Sequence, residues 1–376
     1  MRPIPHIYQT VYSELAQRTL DATFASDFDL RGRFVTQDVK GRKYWYFDVP
    51  EGDTKKRTYV GPVDDEDITR RVENFKDLKA DSRERRRLVS TLVREAYLPR
   101  AEGITGDIVQ SLAEAGFFRL RGVLVGTVAF QCYPPLIGVR LPGTAMVTGD
   151  ADFAQFHSIS VAVGDEMPPI LETLRAVDKT FREIPHNIDG RKTTQFANRS
   201  GYKVEFLTPN TGSDNYSGKP ARMPALGGAS AQPLRFLDYL IHQPVRGVLL
   251  HGAGVPVLVP APERYAVHKL IVSSRRRVAD DGTAKSRKDV AQATAIIEAM
   301  IGQRRRDDVA DAYMEAYDRG PSWREAVSDG LSSIEDGARY TIMTGLAAGV
   351  TNLGGDPEAY GLIRPADDND GRSTPP

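Results

Sequence analysis

Between Arg121 and Phe153 two apolar runs bracket a stretch with helix-like spacing. Val123-Leu124-Val125 is apolar and β-branched, the signature of a buried strand, and it ends on Gly126-Thr127. Thr144 to Val147 is the second apolar run, and it leads into Thr148-Gly149-Asp150-Ala151-Asp152. Side chains in a strand repeat every two residues, so Asp150 and Asp152 point to the same face. Two carboxylates that close repel each other. Either water solvates them at a polar strand end, or a divalent cation holds them, Mg²⁺ being suited to hard oxygen ligands.

The chain has 376 residues, enough for two or three domains with a sizeable core. Its 50 Lys and Arg balance 50 Asp and Glu, so no global charge draws it to nucleic acid or to a membrane, and any such preference must come from local patches. The single cysteine, Cys132, rules out an intrachain disulfide and a Cys-based zinc site, and reads as a small buried hydrophobe. No apolar run reaches bilayer length, and the N-terminus lacks the apolar core of a signal peptide. These features predict a cytoplasmic protein with no membrane partner.

Residues 1–100 read as a unit of their own. Ile7, Val11, Leu15 and Leu20 have roughly helical spacing. Three short strands follow at hairpin spacing, Gly32–Val39, Arg42–Val49 and Lys55–Gly61, with turns at Lys40-Gly41 and Pro50–Asp53. This sheet mixes Tyr44, Trp45 and Tyr46 with Lys40, Arg42, Lys43, Lys55, Lys56 and Arg57. Two readings stay open: aromatics packed inward with the charges solvated, or a face that stacks on bases and tracks phosphates. A long charged helix follows from Asp64 to Tyr97, and its run Arg83–Arg87 reads as a solvated face.

From residue 101 to 260 the pattern alternates. Ile104–Ala115 is an amphipathic helix capped by Gly116, and Met167–Val177 is another with prolines near its start. Tyr202–Pro209 is a strand in which Glu205 faces opposite to Val204 and Phe206. Residues 210–233 are rich in Gly, Pro, Ser and Asn and read as a long loop, and Val255–Pro260 as a short strand. Residues 261–355 read as helical, opening with Pro262 at a first turn. Residues 356–376 form an acidic, Pro-rich tail expected to fray.

The chemistry lies in an ordered set. A strand runs into Gly126-Thr127, a second carries Asp150 and Asp152, and a third carries Glu205. Three carboxylates from adjacent strands suit divalent ions that clamp the oxygens of an in-line phosphoryl displacement. Gly126 lets backbone approach a phosphate, Thr127 offers a hydroxyl, and a helix N-terminus after it would present free N–H groups. Glu205 also suits a general base toward an acceptor hydroxyl. Arg275, Arg276 and Arg277, with Lys285, Arg287 and Lys288, make a basic patch that is either solvated or in contact with triphosphate or a nucleic-acid backbone. His268 reads as a packing or orienting residue.

Gly126-Thr127, then Asp150 and Asp152, then Glu205 resembles the motif order of nucleotidyltransferases of the DNA polymerase beta superfamily. FRLRGVLVGTVAF, TGDADFA, YKVEFLTP and APERYAVHKL are more closely similar to the bacterial, abortive-infection toxin-like branch, over about residues 115–300. In that branch a Lys-bearing helix and a Lys-Asp pair follow the acids, which implies Lys269 and Lys288-Asp289 here. The sequence departs from the family in having Thr127 in place of Ser, Glu205 in place of Asp, and inserted residues around Tyr133-Pro134-Pro135 and Pro142-Gly143.

The resemblance implies an α+β fold: a mixed-sheet nucleotidyltransferase core flanked by helices, a small N-terminal α/β-hairpin domain and a C-terminal helical region. It implies an enzyme that takes an NTP such as ATP with Mg²⁺ (or Mn²⁺). Asp150, Asp152 and Glu205 would be metal-binding and catalytic. Gly126, Thr127, Lys269, Arg275 and Lys288 would hold the nucleotide. The acceptor would be RNA, particularly tRNA, or a protein side chain. Two further readings stay open: a nucleic-acid-binding module with a degenerate transferase domain, and a small-molecule, antibiotic-type adenylyltransferase.

Overall fold

The computed structural model describes residues 1–22, 32–39, 41–51, 54–146, 148–162, 166–210, 218–276 and 282–362. Helix α1 (His6–Ala22) precedes an antiparallel sheet of β1 (Arg33–Val39), β2 (Arg42–Glu51) and β3 (Thr54–Pro62), after which comes α2 (Glu66–Arg94). Gly41 makes the first hairpin turn at φ +80°, and its N–H donates to the Asp38 carboxylate at 2.9 Å. Alternation along β2 sends Phe47 against α2, where Phe34, Phe47 and Phe75 form a triad with centroids 4.7, 5.0 and 5.6 Å apart. Trp45 lies on that side too and donates its indole N–H to Thr69 at 3.0 Å.

Tyr44 and Tyr46 occupy the other face, half-buried, with Arg42 and Arg57 stacked over them at 5.9 and 5.8 Å. Both arginines are engaged by carboxylates of their own chain: Arg57 with Asp48 at 2.6 and 2.8 Å, Arg42 with Asp64 at 3.0 Å. Two of the six cations that the sequence offers to phosphates are therefore already paired. Lys40 and the side chain of Lys56 lie outside the described residues.

At 29 residues, α2 is about 43 Å long at 1.5 Å per residue. Its first half packs on the small sheet through Phe75. Its second half buries Val89 and Leu92 with Ile4, Tyr12 and Leu15 near and on α1, and with Val248 and Leu250 of the body. Arg83, Glu84, Arg86 and Arg87 are exposed, as a solvated face requires, and Arg85 is the exception. It is 7% exposed, its Nε is 2.8 Å from Asp81, and its Nη1 donates to the Ala253 carbonyl at 3.2 Å. The salt-bridged, hydrogen-bonded guanidinium ties α2 to the body.

The body opens with α3 (Gly103–Glu114), β4 (Val123–Val125), α4 (Gly126–Phe130), α5 (Tyr133–Ile137) and β5 (Asp150–Ala154). Next come α6 (His157–Ala162), α7 (Ile170–Val177), β6 (Arg182–Pro185), β7 (Thr193–Ala197), β8 (Lys203–Pro209), β9 (Ala221–Arg222) and β10 (Ser230–Leu234). These strands form a mixed sheet in the order β4-β5-β8-β10-β9, with β7 also on β8 and β6 on β7. Strand β8 runs parallel to β5 and β10 and antiparallel to β7. Its back face is phenylalanine: Phe153 stacks on Phe206 at 5.8 Å, and Phe117 meets Phe153 edge-on at 5.2 Å. The alternation that buries Ala151, Phe153, Val204 and Phe206 delivers Asp150, Asp152, Lys203 and Glu205 to the opposite face.

The apolar run before β5 is not itself a strand: Gly143–Met146 forms a 3₁₀ turn after Pro142, its Met146 carbonyl taken by the Gln131 side chain at 3.0 Å, and Val147 lies outside the described residues. One expectation fails here. Residues 210–233 are not all loop: β9 and most of β10 lie within them, with 211–217 outside the described residues.

After α8 (Leu237–Leu240), the antiparallel pair β11 (Val245–Leu249) and β12 (Val255–Val259) leads to α9 (Pro262–Arg275). Helices α10 (Gly282–Gly302), α11 (Arg306–Asp318), α12 (Pro321–Ser332) and α13 (Asp336–Asn352) complete the chain's helical end. Pro357–Tyr360 is a 3₁₀ turn that packs down, Pro357 and Leu362 being buried, so this part of the expected tail is not frayed; residues 363–376 lie outside the described residues. Among the described residues no helix is long and apolar enough to cross a membrane.

Candidate active site

Strand β4 ends on Val125 in extended backbone, and Gly126 turns the chain at φ +66°. A Cβ on Gly126 would lie 2.4 Å from Asp152 Oδ2, so glycine is required both for the left-handed backbone and for the close approach of the carboxylate. Helix α4 begins at Gly126, as the sequence predicts, but spans only five residues, so its N-terminus offers backbone N–H groups and little dipole. The turn offers backbone and the half-buried Thr127.

The pairing registers place four residues in one rung across the sheet: Val125 on β4, Asp152 on β5, Glu205 on β8 and Gln195 on β7. Asp150 stands two residues before Asp152 and hence on the same face. Burial pushes the Asp152 carboxyl up to about 7, and the charges of Asp150 and Glu205 add to it, against Lys269 and Lys285. Burial likewise raises Glu205, opposed by a hydrogen bond from Gln195 and reinforced by Asp150. The Thr148 hydroxyl donates to Asp150. The set is a patch of hard oxygen donors with an excess of negative charge, which favours a cation or a proton. Among the described residues no three His, Cys, Asp or Glu side chains already converge on one point as a metal cage.

Helix α9 faces this patch with Tyr265, His268, Lys269 and Val272, at the spacing of one helical stripe. The Tyr265 hydroxyl lies 3.0 Å from the Gly126 carbonyl and 2.8 Å from Gln292 Oε1 of α10, tying the turn to both helices. Lys269 Nζ sits 2.6 Å from Asp289 Oδ1, and Arg276 Nε 2.6 Å from Asp289 Oδ2. Asp289 is 3% exposed; burial works to raise its pKa, but Lys269 and Arg276 outweigh it and hold the carboxyl below its usual range. Burial lowers Lys288, which also feels Asp150 and Asp152. Arg275 Nη2 donates to the Ser322 carbonyl at 3.0 Å, its guanidinium 5.5 Å from the Phe236 ring. Arg277 lies outside the described residues.

A cleft of about 230 Å³ opens between sheet and α9. Of the residues singled out in the sequence, Gly126, Asp152, His268, Lys269, Arg275 and Arg276 line it; Thr127, Asp150, Glu205 and Lys288 lie outside its lining. Sequence reasoning missed Gln195, Tyr265 and the role of Arg276. Cys132 is buried, and burial pushes its thiol up to about 12, so it is an inert core residue.

A family model described as a nucleotidyltransferase matches residues 104–318, a span that contains every residue of this site. No curated protein and no solved structure matches the chain.

Proposed function

The chain belongs to this nucleotidyltransferase family and is a transferase, and from that premise we propose that it moves a nucleoside monophosphate from an NTP to an acceptor hydroxyl with a divalent metal. The observation that carries the reading is the rung: Asp152 and Glu205 are register partners on adjacent strands, Asp150 shares their face, and Gly126 abuts Asp152. The acceptor oxygen bonds to the α-phosphorus while the bond to the pyrophosphate oxygen breaks. The acceptor proton passes to Glu205 as general base.

Asp150, Asp152 and Glu205 fit Mg²⁺ or Mn²⁺ by donor type and by a mutual repulsion that Lys203, Lys269 and Lys285 only partly offset. When bound there, the metal neutralises the carboxylates and polarises the phosphoryl oxygens. Gly126 lets the phosphates approach backbone, and Thr127 offers its hydroxyl to them. Lys269 and Lys288 supply positive charge, Lys269 from a position fixed by Asp289. Arg275 serves at the rim.

On the likeness of its motifs to the toxin-like branch of the polymerase beta superfamily, we assign ATP or another NTP as donor and cytoplasmic RNA, particularly tRNA, or a protein side chain as acceptor. Residues 101–260 form the catalytic core in this reading. Residues 1–100 and 261–355 flank it, and 356–376 form a tail.

The test is incubation with each α-labelled NTP, Mg²⁺ and total cellular RNA or lysate protein. Label is expected to enter an acceptor, and transfer should fall to background in Asp152→Ala. Transfer that persists in the variant, or none from the wild-type protein with any NTP, overturns the reading.

A further inference from the structure

The transfer chemistry leaves one polar side chain of the cleft without a task. His268 is 9% exposed and lines the cleft, yet among the described residues its imidazole makes no hydrogen bond. Neither ring nitrogen is sealed from solvent. Buried polar groups are paired as a rule; two other histidines are paired through at least one ring nitrogen, although His251 Nδ1 is itself buried without a partner among the described residues. His251 Nε2 meets Asp107 at 2.8 Å; His186 Nε2 meets Gln232 at 2.7 Å, and its Nδ1 accepts the Ile188 N–H at 3.1 Å. Burial, with help from the neighbouring Lys269 charge, pushes His268 down to about 3, so the ring is neutral and carries one donor and one acceptor.

The surroundings define what such a ring can read. Leu207, Leu234, Leu237, Leu240 and Val272 make the cleft wall, and Leu234 is 40% exposed there. That wall offers nothing to a phosphate. Beyond Val272, Arg276 shares Asp289 with Lys269, and Arg275 is held by the Ser322 carbonyl. The charged end of a nucleotide belongs instead at the Gly126 turn, beside the carboxylates that would hold a divalent cation for it. The uncharged end is left for the leucines.

We propose that His268 is a specificity-determining residue of the donor site: the nucleobase lies against the leucine wall, and the imidazole makes a hydrogen bond to its edge. This rests on the transferase reading and adds the part of the substrate that the charged groups do not touch. A single neutral hydrogen bond discriminates by about tenfold, so the enzyme ranks the four NTPs modestly.

The test measures binding of ATP, CTP, GTP and UTP to the full-length protein with Mg²⁺, with inorganic tripolyphosphate as a probe that has phosphates and no base. Wild type is expected to prefer one NTP. His268→Phe should lose about tenfold for that NTP and flatten the ranking while binding tripolyphosphate as before. His268→Gln, which keeps a donor and an acceptor, should retain part of the ranking. Imidazole ¹⁵N signals of the unmutated protein add a measurement that needs no variant: the His268 ring should shift with the preferred NTP and not with tripolyphosphate. An unchanged ranking in a folded His268→Phe, a parallel loss of tripolyphosphate binding, or a ring signal that ignores nucleotide overturns the assignment alone. A wild-type protein that binds no NTP overturns the transferase reading beneath it.

Discussion

Asp152 carries a cost that its position explains. It is held against the Gly126 turn, between two other carboxylates, and its pKa rises from 3.8 to about 7. Between those values the folded chain keeps a proton that the unfolded chain has lost. Its contribution to stability is therefore full below about pH 4 and is lost as pH rises through about 7. On going from pH 5.5 to pH 8, metal-free wild type is expected to lose more stability than Asp152→Asn, by on the order of 2 kcal/mol, the depressed His268 contributing equally to both. Mg²⁺ at pH 8 should raise the wild-type Tm but not the variant's. Thermal scans with EDTA or Mg²⁺ decide it; a variant with the wild-type slope would refute the assignment. Strand alternation made the shared face of Asp150 and Asp152 legible in the sequence. Gln195 and Tyr265 were not legible, because nothing in TTQFA or PERYAVHKL says which strand lies beside β8 or which carbonyl a tyrosine will reach.

The pairing of α9 with α10 shows how two elements hold one charge in place. Lys269 and Arg276 come from the first helix and its end, Asp289 from the second, and Lys269 and Asp289 are both buried. Removing one partner of a buried pair leaves a desolvated charge and costs about 3–5 kcal/mol. Asp289→Asn is expected to destabilise by about that much in urea unfolding and to cut transfer as Lys269 loses its anchor. In Lys269→Met/Asp289→Asn much of the stability should return while activity stays low. If stability and activity recover together, Lys269 has no role in the reaction. The helices themselves were readable from apolar stripes and from Pro262, the strands β4 and β8 from their apolar, β-branched residues, and β5 from the alternation of Asp150 and Asp152 with buried neighbours. The 3₁₀ turn at Gly143–Met146 and the strands β9 and β10 were not, since each depends on whether a partner strand is available rather than on local preference.

Three apolar assemblies of unequal size hold the molecule together. The largest spans Ala101 to Leu362 and includes the phenylalanine back of the catalytic sheet. A smaller one joins α1 and the end of α2 to β11, and the Phe34–Phe47–Phe75 triad joins the start of α2 to the small sheet. Because α2 is about 43 Å long, damage at its first half is far from the body. Truncating a buried phenylalanine costs about 3–5 kcal/mol, more than a small three-stranded sheet can lose and stay closed. Phe75→Ala is therefore expected to open β1–β3 locally. Amide exchange should quicken over residues 33–62, stay unchanged over 123–154, and leave NTP affinity as it was. Leu92→Ala strikes the second assembly, where Leu92 is 0% exposed, and should quicken exchange in α1 and β11 as well. If Phe75→Ala instead quickened exchange at β4 and β5, the small sheet and the catalytic sheet would be one cooperative unit.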